Sequence, residues 1–516
     1  MSPRAPVRSA ATGGRLREGP SRELIASAYR LELQSAPALM PELVLADLAH
    51  ILVLLDEGLI PLGPGKELLG ALLELREAGP RRQSAGASDP GDPGAIHLDA
   101  ALGDLVMNRE AWLRERIGRT AGYLLVGRPR REAVTVAFHL AVRYRLIALG
   151  WALDRLQREL VDMASAHAGA LAVDYTYWQA AQPTTLGHAL LSYAFPLGRD
   201  AARLREAYRR VNASPAGAGC TNGPGIPIDR RALAGLLGFD GVVPHARDAN
   251  WQADVALELT AVSASVALTL DRLAEDLQVW GTREFGFAEL ADRATRVSLA
   301  MPQKKNPYAL VFVRGVAARM IGRLAAAGAV AKTATGQPDP RIFAQDEVPG
   351  TIELARQATA VMADALSGIR FDREKLAAGA RRGYLAGNDL AERIMYRRDM
   401  PFGDAHRIVG AAVRIALDAG RDEDGIDAAS LDRAAIETIG VPVGLADEDV
   451  RDALDPDAAV ARRTGIGGAA PEAVRELIAG RRRALRRDRR WLEDRERAVE
   501  NAEAGLLARA RNAVAA

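Results

Sequence analysis

Apolar side chains recur at steps of three and four residues through most of this 516-residue chain, which is the spacing of one face of an α-helix. The pattern is clearest in five long segments: 132–166, 187–212, 248–282, 306–333 and 348–366. The third carries a continuous apolar seam: Val255, Leu259, Val262, Val266, Leu273 and Leu277. Helices of about 30 residues span about 45 Å, which is longer than one small domain needs. The pattern predicts a bundle of long helices that pack between subunits as well as within one.

Shorter helical patterns lie on either side of these segments. Before them, the spacing predicts a helical stretch over 21–62, a helix that ends at 77 and another over 98–119, with a glycine- and proline-rich loop at 79–94. After residue 373 the helices shorten. No alternation of apolar and polar residues between hairpin turns predicts a sheet of any size. We therefore expect an all-α protein with an N-terminal domain (1–122), a central helical bundle (123–370) and a C-terminal helical domain (371–516).

Composition narrows the class of protein. The net charge is +2, so no strong field draws the chain to nucleic acid or to a membrane surface. The single cysteine, Cys220, excludes an internal disulfide framework and fits a reducing compartment. No apolar run reaches the length of roughly 20 residues that is needed to span a bilayer. The basic N-terminal arm lacks the apolar segment of a secretory signal. These features predict a cytoplasmic protein without a nucleic-acid or membrane partner.

The C-terminal helical pattern, from residue 471 to the end, holds a dense basic run. Its arginines are Arg481, Arg482, Arg483, Arg486, Arg487, Arg489 and Arg490. Acidic residues follow at once, and Trp491 is the only aromatic side chain beside the run. Mixed charge along a helix is typical of a solvent-exposed face, so we favour that interpretation over an RNA-binding surface.

Candidate chemistry is concentrated in three segments between long helices: 128–131, 175–183 and 298–307. Lysine occurs at only five positions, yet Lys304 and Lys305 are adjacent in the third segment, between two prolines. Cations together with amide and hydroxyl donors suit a small substrate with several carboxylates. An exposed basic turn is the plainer alternative. Ser298 could act there as a nucleophile or, if nearby positive charge draws off its proton, as a base.

No metal or cofactor site is predicted. The seven histidines are scattered, and none has the close spacing on one helix face that zinc motifs use. The chain also lacks a glycine-rich phosphate loop and a strand–glycine–helix unit for a dinucleotide.

Five segments together carry a family resemblance. They are MPQKKNP from Met301, TAGYLLVGRPRREAV from Thr120, DYTYWQAAQP from Asp174, GAGCTNGPGIPIDRRALAGLLGFDG from Gly217, and LAERIMYRRDMPFGDAHRIVGAAVR from Leu390. The sequence resembles the fumarase/aspartase superfamily and, within it, argininosuccinate lyase. The resemblance implies a three-domain, all-α fold of the fumarase/aspartase type. It also implies a homotetramer that shares one central helix bundle and builds each active site from three subunits.

The resemblance further implies the reaction, a β-elimination on a succinyl dicarboxylate that releases fumarate. By position, Ser298 corresponds to the catalytic base, while Lys304 and Asn306 hold a carboxylate and stabilise the anionic intermediate. A lysine aimed at that extra charge contributes most in the transition state. The remaining candidates for substrate binding are Thr176, Gln182, Arg128, Arg130 and Arg131.

Departures from the family concern the leaving group. Tyr177 stands where the family has the histidine that protonates the leaving group, and Val311 replaces the glutamate that pairs with that histidine. A phenol titrates near pH 10, so it is a poor proton donor at neutral pH. Arg131 replaces a neutral asparagine. The segment 339–347 lacks the tyrosine, glutamine and lysine that the family uses on its substrate.

Three hypotheses follow from this pattern. The first is an active lyase on another succinyl compound whose leaving group needs little acid help; nitrosuccinate, which would lose nitrite, is an example. The second is an argininosuccinate lyase in which Tyr177 acts as the acid. The third is an inactive scaffold or regulatory homologue. The retained Ser298, Lys304 and Asn306 favour a catalyst, and the changed leaving-group contacts favour the first hypothesis.

Overall fold

A computed structural model describes residues 18–78, 98–421 and 425–516. The predicted loop at 79–94 and most of the N-terminal arm lie outside the described residues. The N-terminal helices are α1 (Arg22–Leu24), α2 (Arg30–Leu33), α3 (Ala36–Asp56), α4 (Leu62–Ala78) and α5 (Leu105–Ile117). A π-helical turn, Ile25–Tyr29, joins α1 to α2, and 3₁₀ turns flank α5 at Ala100–Leu102 and Gly118–Leu125.

The central helices match the long apolar segments of the sequence. In chain order they are α6 (Arg130–Ala166), α7 (Leu186–Val211), α8 (Arg230–Leu236), α9 (Ala246–Trp251), α10 (Asp254–Trp280), α11 (Tyr308–Ala331), α12 (Asp339–Phe343) and α13 (Val348–Leu366). The segment predicted as one helix over 248–282 is two, because the chain is extended at Gln252. Of the predicted seam in α10, every member except Val255 is buried.

The long central helices run back and forth beside one another. The start of α7 lies against the end of α6, since the Gly187 amide donates to the His167 carbonyl oxygen. The end of α7 returns towards the start of α6, where His139 Nδ1 lies 2.9 Å from the Val211 carbonyl oxygen. Helix α10 packs on α7, α11 and α13, and α6 packs on α3, α7 and α13. Their apolar faces form one continuous core.

Short strands occur only in two-stranded pairs among the described residues: β1 (Leu171–Thr176) with β2 (Gln179–Thr185), β3 (Ala213–Ser214) with β4 (Gly241–Val242), β5 (Ala288–Glu289) with β8 (Arg370–Phe371), and β6 (Arg296–Val297) with β7 (Lys305–Asn306). The β3–β4 pair is parallel and the others are antiparallel. The segment 175–183, predicted as a loop, is therefore a β-hairpin. Its buried base, Leu171 to Val173, packs on the core and fixes the register.

The C-terminal helices are α14 (Arg373–Arg381), α15 (Gly387–Arg398), α16 (Phe402–Asp418), α17 (Ala428–Ile439), α18 (Asp447–Leu454), α19 (Pro456–Ala461) and α20 (Pro471–Ala515). A separate apolar cluster between Leu390 and Leu454 holds α15 to α18 together. Most buried residues of α20 belong instead to the main core, among them Ile478, Leu485, Leu492, Val499 and Leu506. Their seven-residue spacing forms one stripe that packs on α6. The domain boundary at residue 371 stays a prediction. It assigned α20 to the C-terminal domain, whereas α20 packs on α6 of the central bundle.

The basic run on α20 is mainly exposed, and its first arginines have partners on α6. Arg481 donates to Gln157 on α6, and Arg482 forms an ion pair with Asp162. Trp491 packs edge-on against Tyr208, with ring centroids 5.2 Å apart. The aromatic side chain that follows the run in the sequence is thus used in helix packing.

Among the described residues, two helices are long and apolar enough to cross a bilayer by length and composition, which corrects the expectation that no such stretch exists. They are α3 and α6. Of the most apolar 18-residue stretch of each helix, 89% is buried inside the protein in α3 and 83% in α6. Both helices therefore have the packing of core helices.

Candidate functional site

The segment that leads into α6 is held by a buried carboxylate. Asp47 on α3 is fully buried and receives Arg109 and Arg128, each with a side chain at most 3% exposed. His50, one turn further along α3, lies 3.0 Å from the Val126 carbonyl oxygen. Burial and the neighbouring Arg128 lower the pKa of His50 to about 3, so its ring is neutral. This arrangement favours a structural role for Arg128 over the predicted substrate contact.

A second buried carboxylate shapes the glycine-rich loop over 217–223. Glu132 accepts hydrogen bonds from the backbone amides of Gly217 (2.8 Å) and Gly219 (2.5 Å). Burial raises the pKa of Glu132, while Arg128 and these amides oppose the rise. Both glycines have positive φ, which other residues adopt only with strain. Glu132 thus fixes the loop that faces Arg130 across a pocket of 500 Å³.

The two arginines that begin α6 differ in environment. The Arg130 side chain is 61% exposed, and its Nε lies 3.4 Å from Asp104. Arg131 is half-buried; its Nε donates to the Asn250 carbonyl oxygen at 2.6 Å, and its guanidinium lies 4.6 Å from the Trp251 ring centroid. Burial, reinforced by Arg341, lowers the pKa of Arg131 to about 10, so it stays charged at neutral pH.

A buried ion-pair group lies next to Arg131. Arg341, on α12, donates to Glu32 on α2 at 2.7 Å and lies 3.8 Å from Asp346. Burial raises the pKa of Asp346 to about 7, although Arg341 acts in the opposite direction. The segment 339–347, where the family's substrate contacts are missing, is therefore joined to α2 by an ion pair, and its charges lie close enough to Arg131 to influence the pKa of that side chain.

The hairpin carries three predicted site residues, Thr176 and Tyr177 at its tip and Gln182 further along β2. Thr176 and Gln179 are paired, so Tyr177 and Trp178 form a two-residue turn, and both have positive φ. Such turns favour Asn and Gly, and other residues there cost about 1–3 kcal/mol each. Tyr177 is 98% exposed in the protomer. Thr176 and Gln182 are exposed beside it.

The segment 298–307 begins directly after β6, turns, and returns as β7. Ser298 Oγ accepts a hydrogen bond from the Met301 amide at 3.1 Å, which turns the chain directly after the serine. Lys305 is bound by two carboxylates, Glu289 at 2.9 Å and Asp292 at 2.8 Å. These pairs raise the pKa of Lys305.

The neighbouring Lys304 is exposed and forms no ion pair with any residue that the structure describes. Asn306, on β7, is half-buried. The two lysines, equivalent in the sequence, are thus different in the fold: Lys305 anchors the segment, and Lys304 is available to a ligand.

These site residues lie at two ends of the bundle. The hairpin and the segment 298–307 are at the end of α6. His167, the residue after α6, packs on Phe371 of β8, and Phe371 also packs on Trp280 at the end of α10. Tyr175 of the hairpin packs on Phe285, shortly after α10. Arg130 and Arg131 are at its start. The 37 residues of α6 span about 55 Å. A single chain therefore does not bring the arginines and the hairpin to the same small molecule.

Within the described ranges, no group of three or more His, Cys, Asp and Glu side chains is arranged to hold a metal ion. The polar groups around the two ends include arginine, lysine, amide and hydroxyl donors. Such a set can bind carboxylates and stabilise a developing negative charge.

Sequence comparison identifies the class. Residues 91–322 match the sequence profile of a lyase family, and residues 384–461 match the profile described as argininosuccinate lyase C-terminal. Argininosuccinate lyase of Methanoculleus marisnigri is 36% identical over 478 residues, covering 91% of this chain and 92% of that protein. The enzyme of the same name from Methanococcoides burtonii is 31% identical over 95% of this chain and 96% of its own length.

Solved structures give the same result. EDDS lyase in complex with formate superimposes with a TM-score of 0.84 and 28% identity, covering 98% of this chain and 99% of that chain. A variant of EDDS lyase with bound fumarate matches at 0.84 and 27%. Class II fumarase from Schistosoma mansoni, at 0.67 and 16%, shows the shared fold alone.

The fold and these relatives define the protein as a lyase. Because relatives above 30% identity cover nearly the whole chain, it belongs to the fumarase/aspartase superfamily and, within it, is argininosuccinate lyase-like. The predicted all-α, fumarase/aspartase-type fold is confirmed.

Sequence reasoning missed the residues that support the candidate site. No sequence motif assigned a role to Asp47, Glu132, Asn250 or Trp251. One signal was present: Asp47 and Glu132 are carboxylates inside otherwise apolar helical patterns, and such residues are buried only with partners.

Proposed function

We propose that this lyase eliminates a substituent from a substituted succinate and releases fumarate, and that the leaving group is not arginine. Ser298 Oγ, after loss of its own hydroxyl proton, takes a proton from the carbon next to one carboxylate and becomes a neutral hydroxyl. The electron pair forms the carbon–carbon double bond as the bond to the substituent on the neighbouring carbon breaks. With nitrosuccinate, the products are fumarate and nitrite, and the proton ends on the base.

The observation that carries this proposal is the contrast between the two lysines. Lys305 is tied to Glu289 and Asp292, whereas Lys304 has no ion partner among the described residues. A free ammonium group six residues from Ser298 suits a substrate carboxylate that gains negative charge as the proton leaves. Thr176 and Asn306 are proposed to bind the same succinyl unit.

Assembly is part of the proposal. Arg131 and the hairpin lie about 55 Å apart along α6, so subunits that run in opposite directions must bring them together. A homotetramer that shares the central bundle does so. Apolar side chains on the outer surfaces of α10 and α11 support such contact, since Leu268, Val311 and Ile321 are 42–54% exposed in the protomer.

The changed residues favour an altered leaving group. Val311 is uncharged, so it cannot polarise a neighbouring proton donor. The Tyr177 phenol is too weak an acid to protonate an amine leaving group efficiently at neutral pH. Arg131 adds a cation at the start of α6. A leaving group that departs as a stable anion needs no proton donor and is attracted by that cation.

The test is a panel of succinates, including nitrosuccinate, N-substituted aspartates and argininosuccinate, with fumarate followed by its ultraviolet absorbance. We expect release from at least one member other than argininosuccinate. Ser298→Ala should lower that rate by about 10³-fold or more, since the base is lost. A folded protein that releases no fumarate from any member contradicts the proposal, and an unchanged rate in Ser298→Ala places the base elsewhere.

A second candidate is a true argininosuccinate lyase, which the identity of 31–36% to enzymes of that name favours. In that case argininosuccinate is the best substrate of the panel, and the inference from Tyr177 and Val311 is wrong.

A further inference from the structure

A cavity of 480 Å³ lies beside the second and third turns of α6, and none of the candidate site residues lines it. Its walls come from α6, the end of α7, β4, α9, the start of α10 and α12. Val255, the member of the α10 seam that is not buried, faces this space. Sites for small ligands measure about 300–1,000 Å³. The cavity therefore has the size of a site for a small organic molecule.

The wall on α6 presents an imidazole nitrogen that accepts a hydrogen bond. His139 is 6% exposed, and its Nδ1 lies 2.9 Å from the Val211 carbonyl oxygen. Because a carbonyl oxygen only accepts, Nδ1 carries the proton and Nε2 keeps its lone pair. Burial lowers the pKa of His139, so the ring is neutral at neutral pH. Nε2 forms no hydrogen bond with a described residue and is not sealed from water, so its lone pair faces the cavity that His139 lines.

Two other polar side chains of the wall are acceptors as well. Thr135 Oγ1 donates its proton to the Arg131 carbonyl oxygen at 2.9 Å, which leaves only its lone pairs. Asn250 is 2% exposed and donates Nδ2 to the Gly219 carbonyl oxygen at 2.8 Å. Its amide oxygen is enclosed and meets no donor among the described residues. The wall thus holds several acceptors and calls for a ligand that donates.

The free charge around the cavity is negative. Asp248 and Asp254 line it, are exposed, and form no ion pair with a residue that the structure describes. Asp254 lies close enough to His139 for its charge to oppose the lowering of the pKa of that ring. Arg209 and Arg210 line the cavity too, but each is already paired with a glutamate of α7 or α10. A cation would therefore meet carboxylates that have no partner, whereas an anion would meet arginines that have one.

We propose that this cavity is a second ligand site, which binds an organic cation made of a primary ammonium group on a short apolar body. The ammonium group has three N–H donors and no acceptor, so it suits the lone pair of His139 and the carboxylate of Asp254. The apolar body packs on Phe138, Val242 and Val255. The inference does not depend on the proposed function, because the cavity and the candidate site share no lining residue.

The test uses three ligands of nearly the same shape that differ in charge: cyclohexylmethylammonium, cyclohexylmethanol and cyclohexanecarboxylate. Their binding to the full-length protein is measured by saturation-transfer NMR and titration calorimetry. We expect the wild type to bind the ammonium at least about three-fold more tightly than the alcohol, and the carboxylate most weakly. Asp254→Asn keeps the shape of the side chain and should weaken ammonium binding by about 3- to 10-fold, between the effect of an exposed ion pair and that of a charge-assisted hydrogen bond. Binding of the alcohol should stay within about two-fold.

Companion variants locate the site. Glu448→Gln removes a carboxylate from the first turn of α18, as Asp254→Asn does from the first turn of α10, and should leave all three affinities unchanged. Val255→Phe fills part of the cavity and should weaken the binding of all three ligands. His139→Asn keeps a donor for the Val211 carbonyl oxygen but removes Nε2. It should weaken the ammonium and the alcohol, which both donate a hydrogen bond.

Equal affinity of the wild type for the three ligands overturns the inference, as does the absence of ammonium binding. Equal effects of Asp254→Asn and Glu448→Gln on ammonium binding also overturn it, and this comparison decides if Val255→Phe or His139→Asn does not fold. Unchanged binding in a folded Val255→Phe places the ligand outside the cavity and refutes the assignment. None of these measurements needs turnover, so a failure of the proposed function, seen as no fumarate from the substrate panel, is a separate result.

Discussion

Replacing Asp47 by alanine tests how the start of α6 is built. The carboxylate is fully buried and receives two guanidinium groups whose side chains are 2% and 3% exposed. Removing it leaves two buried cations without their shared partner. Breaking one buried pair in this way costs about 3–5 kcal/mol of stability. We expect Asp47→Ala to lose at least that much, and Arg130 and Arg131 to lose their fixed positions.

The same helix offers a matched control. Asp56 ends α3 and pairs with Arg509, and the two side chains are 45% and 49% exposed. Exposed pairs contribute about 0–1 kcal/mol. Urea unfolding followed by circular dichroism measures both variants, and hydrogen exchange reports whether the start of α6 opens first.

The reasoning is refuted if Asp47→Ala and Asp56→Ala shift the unfolding midpoint equally, since burial would then not govern the cost. It is also refuted if Asp47→Ala is strongly destabilised while exchange at the start of α6 is unchanged. Asp47→Asn keeps hydrogen-bond acceptance without charge and should fall between the alanine variant and the wild type.

Two further predictions concern the lysines and Asp346. Lys304→Met should lower the rate of fumarate release by about 10²- to 10³-fold, as loss of a charge-stabilising donor does. Lys305→Met should change that rate by less than about ten-fold, because exposed ion pairs are weak. Equal losses in the two variants would contradict the separation of roles. Because burial raises the pKa of Asp346 to about 7, the folded state holds this proton more tightly than the unfolded chain. Its contribution to stability is therefore present below about pH 4 and is lost as pH rises to about 7. Asp346→Asn should remove that fall, which unfolding measurements between pH 5 and 8 will show; an identical slope in both proteins would contradict the assignment.

The relation between the two lysines shows the limit of sequence reasoning. The sequence identified Lys304–Lys305 as unusual because lysine is rare in this chain, and the family resemblance assigned the first to the substrate. Only the β6–β7 turn brings Glu289 and Asp292 to Lys305, from 13 to 16 residues away. Ion partners at that separation depend on the path of the backbone, which local spacing does not contain.

Arg128 and Arg131 show the same limit with opposite outcomes. Both were candidates for substrate binding because they lie in one arginine-rich run. The tertiary structure places Arg128 against Asp47, 81 residues earlier, and Arg131 against Asn250 and Trp251, about 120 residues later. Arg128 precedes the extended N-cap residue Pro129, whereas Arg131 lies in the first turn of α6, so the two side chains leave the backbone in different directions.

The sequence by itself determined the helical class, because a 3.6-residue repeat of apolar side chains is a local property that survives in any packing arrangement. It also determined the chemistry of the three polar segments, since residue types are fixed before folding. Tertiary structure alone decided that 171–185 is a hairpin, that α20 joins the main core, and that the arginines and the serine segment lie at opposite ends of α6. Those features depend on contacts between residues far apart in the chain, and their free energy appears only when the helices pack.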